Sequence, residues 1–256
     1  NAGEPFTHTG LQANYIVDKN WSIMGSAVTG SATGGWDGGW DKQLGNWSGI
    51  AGFTWKSDNQ ATSFNATGTY GETSTHSSES WGMFNLVLQH KINPKTLLVL
   101  HHVHGFADGV LLNNLKYANV VKDAQWMGLV THLYYDLTEN LSIGFRGEWF
   151  RDRDGFRNPS PFRVAAATNI VNGVPVSYAG NINNVTVAPA DYYAATVGMN
   201  WKAAKTLKIR WDHLKKLTIR PNIRYDSVDA YRTVAYKPFA GHKDQILFSL
   251  DFVLPF

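Results

Sequence analysis

Three closely spaced histidines, His101, His102 and His104, form the densest group of side chains that could bind a metal. Residues two apart in an extended strand point to the same side, so His102 and His104 would share a face, as metal ligands on a strand do. No acidic residue stands next to them to complete a coordination shell. We therefore expect no metal site and no cofactor, and we interpret the three as polar histidines of a lumen or an interface.

A second arrangement could hydrolyse an ester. His76 and Ser78 are similar to the His-x-Ser pair of outer-membrane phospholipases. Such a site also needs a nearby Asn or Asp to orient the imidazole, and the downstream candidate Asn85 has the opposite parity in an extended chain. The pair stands in a Ser- and Thr-rich stretch, where it arises readily by chance. A lipid hydrolase is therefore the least favoured function, and we expect a protein that is not an enzyme.

The remaining candidates are charged. Arg146 and Glu148 stand two apart, as do Arg224 and Asp226, so each pair would lie on one side of a strand. A short charged run follows the first pair and comprises Asp152, Arg153, Asp154 and Arg157. What these charges can do depends on the elements that hold them.

Composition limits the class of protein. The 256 residues suffice for one large domain, and no run approaches the roughly 18 apolar residues of a membrane helix. Aromatic residues reach 13%, with 10 Trp, which fits aromatic girdles at two membrane interfaces. There is no Cys for a disulfide or thiolate site, and a net charge of +3 is too small to indicate nucleic-acid binding. No signal peptide is present, so we treat the chain as mature or as a fragment.

The last stretch, Gln245–Phe256, shows the pattern that would position the charges. One of its faces is mixed and the other is wholly apolar, formed by Ile246, Phe248, Leu250, Phe252, Leu254 and Phe256. A membrane barrel strand has lipid on one face and a lumen on the other, and crosses with about nine to eleven residues. Alone, this strand could also close a soluble β-sandwich.

The rest of the chain repeats the alternation, with short and long polar gaps in turn. We count about eleven to twelve strands in a single domain, residues 1–256, and predict an all-β, antiparallel, up-and-down transmembrane barrel. Bacterial barrels have even strand numbers and usually periplasmic termini. Because eleven strands ending at the periplasmic side would place Asn1 outside the cell, we expect at least one N-terminal strand of the parent protein to be missing.

Two segments between the predicted strands and one proline within a strand allow further predictions. Residues 151–190 are predicted to be a long external loop, and residues 202–217 a periplasmic insertion, read equally as a short amphipathic helix or as a strand. Pro221 lacks a ladder donor, so a bulge is expected there.

In such a barrel the charges should face inward, since a charge at the lipid midplane costs roughly 2–4 kcal/mol. The predicted pore-lining residues are Lys91, Arg146, Glu148, Arg220, Arg224, Asp226 and Asp251. They could form an eyelet that sets ion selectivity or a structural salt-bridge ladder, and both readings stay open. A slight excess of basic residues favours weak anion preference. Asp152, Arg153, Asp154 and Arg157 would line the mouth if the long loop folds inward as a constriction; the alternative is an external loop ordered by its own contacts.

Four motifs occur in order over most of the chain: Pro5–Gly10, Gly144–Arg157, Ile219–Asp226 and a last strand that begins at Gln245. Together they resemble the OmpL-like β-barrel porin family, also called putative porin-2. Family members carry further sequence before the first motif, which agrees with a missing strand. The segment Lys202–Leu217 departs from the family pattern in being longer than a turn.

The resemblance implies a porin of the Gram-negative outer membrane, through which small hydrophilic solutes or ions diffuse passively. Its partners would be those solutes and the outer-membrane lipids, including lipopolysaccharide, with a homo-oligomer allowed and nucleic acid not expected. The alternative is a structural barrel, plugged by a loop or a partner protein. Conductance separates these two functions, and ester turnover by a Ser78→Ala variant separates the lipid hydrolase from both.

Overall fold

The computed structural model describes residues 9–29, 47–74, 77–112, 114, 116–117, 120–157, 170–171, 174–175, 188–208, 211, 214, 216–231 and 236–254. In these residues the chain is almost entirely strand, with one four-residue helix. None of the helical structure in these ranges is long and apolar enough to cross a membrane.

Eleven strands form one antiparallel sheet in which each strand pairs with the next strand of that sheet along the chain. They are β1 Thr9–Ile16, β2 Trp21–Thr29, β3 Trp47–Lys56, β4 Thr62–Ser74, β5 Ser77–Asn93, β6 Thr96–Leu112, β7 Val120–Thr138, β8 Leu141–Asp152, β11 Ala190–Trp201, β12 Thr218–Ala230 and β13 Asp244–Val253. Between β8 and β11, β9 (Ile170–Val171) and β10 (Val174–Pro175) make a separate small hairpin. The predicted all-β, up-and-down antiparallel fold is confirmed.

The outermost strands of the sheet are β1 and β13, and no ladder joins them within the described ranges. Successive antiparallel pairing over an odd number of strands makes these two edges run in the same direction. The expectation of a further N-terminal strand stays a prediction.

The two ends of the sheet differ in their connections. At the turn end, β1–β2, β3–β4, β5–β6 and β7–β8 are joined by short turns, whereas the loop end carries residues 30–46, 113–119, 153–189 and 231–243. Some strands continue at the loop end into polar stretches that the alternation does not mark as strand: β4 extends to Ser74, and β5 begins at Ser77. A backbone ladder can continue past the membrane, where both faces meet water and the side-chain alternation is lost.

The strand registers give the sheet one apolar and one polar face, because residues paired across two neighbouring strands point to the same side of the sheet. On the apolar face Leu11 is 85% exposed, Phe248 71% and Ile246 69%. Large hydrophobic side chains this exposed at both edges of the sheet, on β1 and on β13, require an apolar environment. The apolar face therefore suits lipid, and the polar face is the other side of every strand.

Neighbouring turns are tied together at the turn end. The Asp18 carboxylate accepts hydrogen bonds from the backbone N–H groups of Asn20 (2.7 Å) and Trp21 (2.8 Å). Lys19 then forms an ion pair with Asp58 of the β3–β4 turn at 2.8 Å. The hydrogen bond from Lys19, helped by one from Asn20, lowers the pKa of Asp58. These contacts fix the spacing of the first four strands at this end.

The segment after β11 begins with the helix α1, Ala203–Thr206, whose two alanines are buried. The backbone N–H of Ala204 donates to the Leu217 carbonyl at 3.2 Å, which returns the chain to β12. Of the two readings of residues 202–217, the described part shows the short helix.

Pro221 interrupts the β11–β12 ladder, but the bulge predicted there is wrong. Gly198 pairs with Asn222 and Trp201 with Ile219, so the register is the same on both sides of the gap. The β12–β13 ladder also runs past Pro221 without a shift. A missing donor on one side of a strand costs one hydrogen bond and does not require an extra residue.

Two glycines give a stability prediction. Gly105 lies opposite Trp126 on the polar face, and a Cβ atom there would overlap the indole ring, whereas a Cβ at Gly25 would meet nothing within 4 Å. Gly105→Ala should therefore lower the free energy of unfolding by about 1–3 kcal/mol through overpacking. Gly25→Ala should raise it by about 0.5–1 kcal/mol. Denaturant unfolding in detergent micelles, followed by Trp fluorescence, measures both; an equal loss from both variants would contradict the packing described.

Candidate pore wall

All seven predicted pore-lining residues lie on the polar face of the sheet. The strand registers connect Lys91 of β5, through Leu97 and Tyr134, to the face of β8 that carries Arg146. The remaining registers place the residues of β8, β12 and β13 on the same side.

Four of these residues form one connected charge ladder: Arg146, Glu148, Arg224 and Asp226. Arg146 Nη2 donates to Glu148 Oε2 at 2.8 Å, and Arg224 Nη1 donates to Glu148 Oε1 at 2.6 Å. Arg224 Nε donates to Asp226 Oδ1 at 2.7 Å. Gln245 of β13 extends the ladder by donating its amide to Asp226 Oδ2 at 3.0 Å. The ladder thus links β8, β12 and β13.

The ladder crosses β11 because that strand has small side chains at the crossing. Ala194 pairs with Glu148 on one side and Asp226 on the other, and Thr196 pairs with Arg146 and Arg224. Neither side chain is long enough to block the guanidinium of Arg224 from reaching Glu148. The ladder therefore depends on alanine and threonine at two positions as much as on its charged members.

The ladder is electrically neutral, with two guanidinium and two carboxylate groups. The arginine side chains are still 35% (Arg146) and 31% (Arg224) exposed. Two buried atoms at the crossing, Arg146 Nε and Thr196 Oγ1, have no hydrogen-bond partner among the described residues. Partial exposure keeps the desolvation cost of the pairs moderate, and one terminal guanidinium nitrogen of each arginine lies outside the ion pairs of the ladder.

The other three members of the set are not paired in this way. Arg220 lies opposite Asp251, yet the described contacts include no ion pair between them, and Arg220 Nε donates to Asn200 Oδ1 at 3.3 Å. Lys91 is exposed near the turn end. These charges remain open to solvent ions.

The residues proposed for a constriction make a compact turn after β8. Asp152 is fully buried and accepts backbone hydrogen bonds from Phe156 (2.9 Å) and Arg157 (2.8 Å). Asp154 is also buried and pairs with Lys122 at 3.1 Å. Gly155, with a φ of +68°, allows the chain to reverse.

The last two candidates differ in position. Arg157 is buried, with its guanidinium 5.0 Å from the Trp126 ring centre, whereas Arg153 is exposed and donates to Gln125 at 2.9 Å. The contacts are those of a turn ordered from within. Much of residues 158–187 lies outside the described ranges, so an inward constriction by the long loop stays a prediction.

Two apolar clusters cover the loop end of the polar face. The first contains Met83, Val103, Ala107 and Trp126, with Phe150 and Phe156 packed against it. The second contains Ala188, Ala190, Val228 and Tyr236, with Tyr192, Ala230 and Phe239 packed against it. Phe156, Tyr236 and Phe239 come from connections, so chain from two loop-end segments turns back over the polar face.

Sequence reasoning missed these clusters. The two faces of Trp126–Asp136 are both largely apolar, and period-two alternation cannot assign a face in that case. The registers show that Trp126 and His132 lie on the polar face, in line with Asp152 and Arg146. The one sequence signal for the clusters is a run that is apolar on both faces near the end of a long strand, because such a run indicates that the polar face is covered there.

The histidine run is divided between the faces. His101 lies on the polar face and shares a hydrogen bond with Asn85 at 3.0 Å. His102 and His104 share a face, as predicted, but the registers place them on the apolar face and not on the lumen side. Their ring centres are 6.4 Å apart, and both rings contact Phe84. Within the described ranges, no group of three or more His, Cys, Asp or Glu side chains could hold a metal.

The candidate esterase pair falls largely outside the described ranges. His76 and the side chain of Ser78 lie outside the described part of the chain. Asn85, the candidate orienting residue, is engaged by His101 on the polar face.

The chain is similar to a known protein family and to a solved structure. A family model described as "Putative beta-barrel porin-2, OmpL-like" matches residues 1–256. The structure is similar to the crystal structure of the outer membrane channel DcaP of Acinetobacter baumannii, with a TM-score of 0.55 and 10% sequence identity over 95% of this chain. This chain covers 62% of that channel's chain. No curated protein matches the sequence.

At this identity the likeness to the channel shows the fold alone, and it confirms the barrel-type class predicted from the alternation. The family match extends over the whole chain and confirms the resemblance carried by the four motifs. It also places the protein in the bacterial outer membrane, as predicted. The chain therefore belongs to the putative beta-barrel porin-2 family, OmpL-like.

Proposed function

We propose that the protein is a passive channel through which small hydrophilic solutes and ions diffuse down their gradients. The observation that carries this proposal is the connected charge ladder on one face of a sheet whose other face exposes large apolar side chains. Charges gathered on one side and hydrocarbon on the other are what a water-filled barrel in lipid requires. Diffusion of this kind involves no catalytic step.

The membrane partners follow from the same division of faces. The apolar face would contact the acyl chains of outer-membrane lipids, and its loop end would meet lipopolysaccharide. Assembly into a homo-oligomer is compatible with the proposal, as for many barrels of this class.

Weak anion preference is part of the proposal. The ladder contributes no net charge, so selectivity should come from charges outside it. Among the exposed charges that the structure describes on the polar face of the strands, Lys91 and Arg220 outnumber Asp251, and Lys56 and Asp136 cancel each other. A single positive charge in excess favours anions modestly in a screened aqueous pore.

A second candidate function is a barrel closed by its own loops, with a structural role. The observation in its favour is the pair of apolar clusters on the loop end of the polar face, which occupy space that an open pore would leave to water. Current through the purified protein separates the two functions.

We predict stable open steps in single-channel recordings of the purified protein in a planar bilayer, with a reversal potential of the anion-selective sign in a salt gradient. Clear cation preference would refute the charge argument. Silence, in preparations shown to be folded by heat-modifiable migration, would favour the closed structural barrel.

Arg220→Gln should move the reversal potential towards cation selectivity, because it removes a positive charge that has no ion-pair partner among the described residues and breaks its hydrogen bond to Asn200. Lys116→Gln, which neutralises an exposed charge of the same sign between β6 and β7, is the matched control and should leave the reversal potential unchanged. Equal shifts in the two variants would mean that selectivity does not arise at this wall.

Phe156→Ser should increase single-channel conductance, because it removes a ring packed against the first apolar cluster over the polar face. The ring centre of Phe156 lies 5.8 Å from that of Trp126, so the change also loosens the indole. Phe248→Ser, on the exposed apolar face, is the control and should not change conductance. Unchanged conductance in folded Phe156→Ser would show that the cluster does not narrow the passage.

A further inference from the structure

An aromatic ledge lies directly beside the charge ladder on the polar face. Phe150 follows Glu148 by two residues on β8, and Tyr192 precedes Ala194 by two residues on β11. Phe150 and Tyr192 are paired across the strands, with ring centres 6.3 Å apart. Two residues along a strand correspond to about 6.6–6.8 Å, so the rings stand about one sugar-ring width from the ladder.

The ledge is held in place from the loop end. Tyr192 and Tyr236 share a hydrogen bond between their hydroxyl groups at 3.2 Å, and both belong to the second apolar cluster or pack against it. Phe150 packs against the first cluster. Both ledge rings remain partly exposed. The rings are therefore fixed in orientation but still accessible from the polar side.

The ladder offers hydrogen-bonding groups of both kinds without a net charge. Each guanidinium has five N–H groups, and among the described contacts the ladder uses one nitrogen of Arg146 and two of Arg224. The carboxylates of Glu148 and Asp226 present acceptors beside those donors. A charged solute gains little net attraction from the ladder. Each ladder group that attracts the solute stands beside a group of the other sign that repels it.

We propose that the ladder and the ledge together bind neutral polyhydroxyl solutes, that is sugars and polyols. A hydroxyl group both donates and accepts, so it can bridge a guanidinium N–H and a neighbouring carboxylate oxygen. The C–H face of a sugar ring is apolar and packs on an aromatic ring. The inference rests on the proposed channel function and names the solute class that its wall would hold.

The test is the ion current of the purified protein with raffinose added, compared with polyethylene glycol of similar mass. Raffinose should block the current in a saturable way, with half-blocking concentrations that are alike at low and high salt because the solute is neutral. Polyethylene glycol should only lower conductance in proportion to the volume it excludes. A raffinose effect no different from that of the polymer, in channels that open normally, overturns the site while leaving the channel function standing.

Two adjacent tyrosines give a matched pair of variants. Tyr192→Leu removes the ledge ring but keeps an apolar side chain against the second cluster, and should raise the half-blocking concentration about tenfold, the equivalent of about 1.4 kcal/mol. Tyr193→Leu changes the next residue, which is on the apolar face and 46% exposed, and should leave the block unchanged. Equal effects of the two substitutions would overturn the role of the ledge.

Binding can also be measured without an open channel. Titration calorimetry of raffinose into the protein in micelles should give heat that is lost in Tyr192→Leu and kept in Tyr193→Leu. Binding without conductance would refute the channel and retain the site, and conductance without saturable binding would do the reverse.

Discussion

Every backbone N–H and C=O that meets hydrocarbon must find a partner within the protein, and this constraint governs the whole chain. A sheet of sequential antiparallel strands meets it with local pairings, which is why β1 to β8 and β11 to β13 follow one another in sheet order. Once the strand pairing is fixed, successive side chains must point alternately to the apolar face and to the polar face. The exposed apolar face and the charged polar face are both consequences of that single requirement.

Within the polar face, the contacts between charged and aromatic side chains depend on which neighbouring side chains are small. Arg224 reaches Glu148 only because β11, which lies between their strands, presents Ala194 and Thr196 at the crossing. Gly105 has the same role beneath Trp126. The charged and aromatic features of the wall therefore rest on three residues with little chemistry of their own.

The sequence was sufficient for the fold class, the strand number and the common face of the charged residues, because all three follow from period-two alternation. It was insufficient where the alternation carries no information. Strands β5 and β7 extend past their amphipathic part, and the faces of Trp126–Asp136 are both apolar.

The ion-pair partners could not be predicted from the sequence either. Glu148 and Arg224 are 76 residues apart, and they meet because of the strand register and the small side chains of β11. The fold of residues 152–157 over the polar face depends on buried Asp152 binding two backbone N–H groups, a contact that no periodicity encodes.

The bond between Glu148 and Arg224 has a consequence for assembly. It can form only when β8, β11 and β12 are all in place, because the two residues lie on opposite sides of the middle strand. A slip of β12 by one residue would turn Arg220, Arg224 and Asp226 towards lipid, at a cost of roughly 2–4 kcal/mol for each basic residue near the midplane. The ladder thus stabilises the correct alignment of these three strands, and the same charges make a one-residue slip of β12 unfavourable.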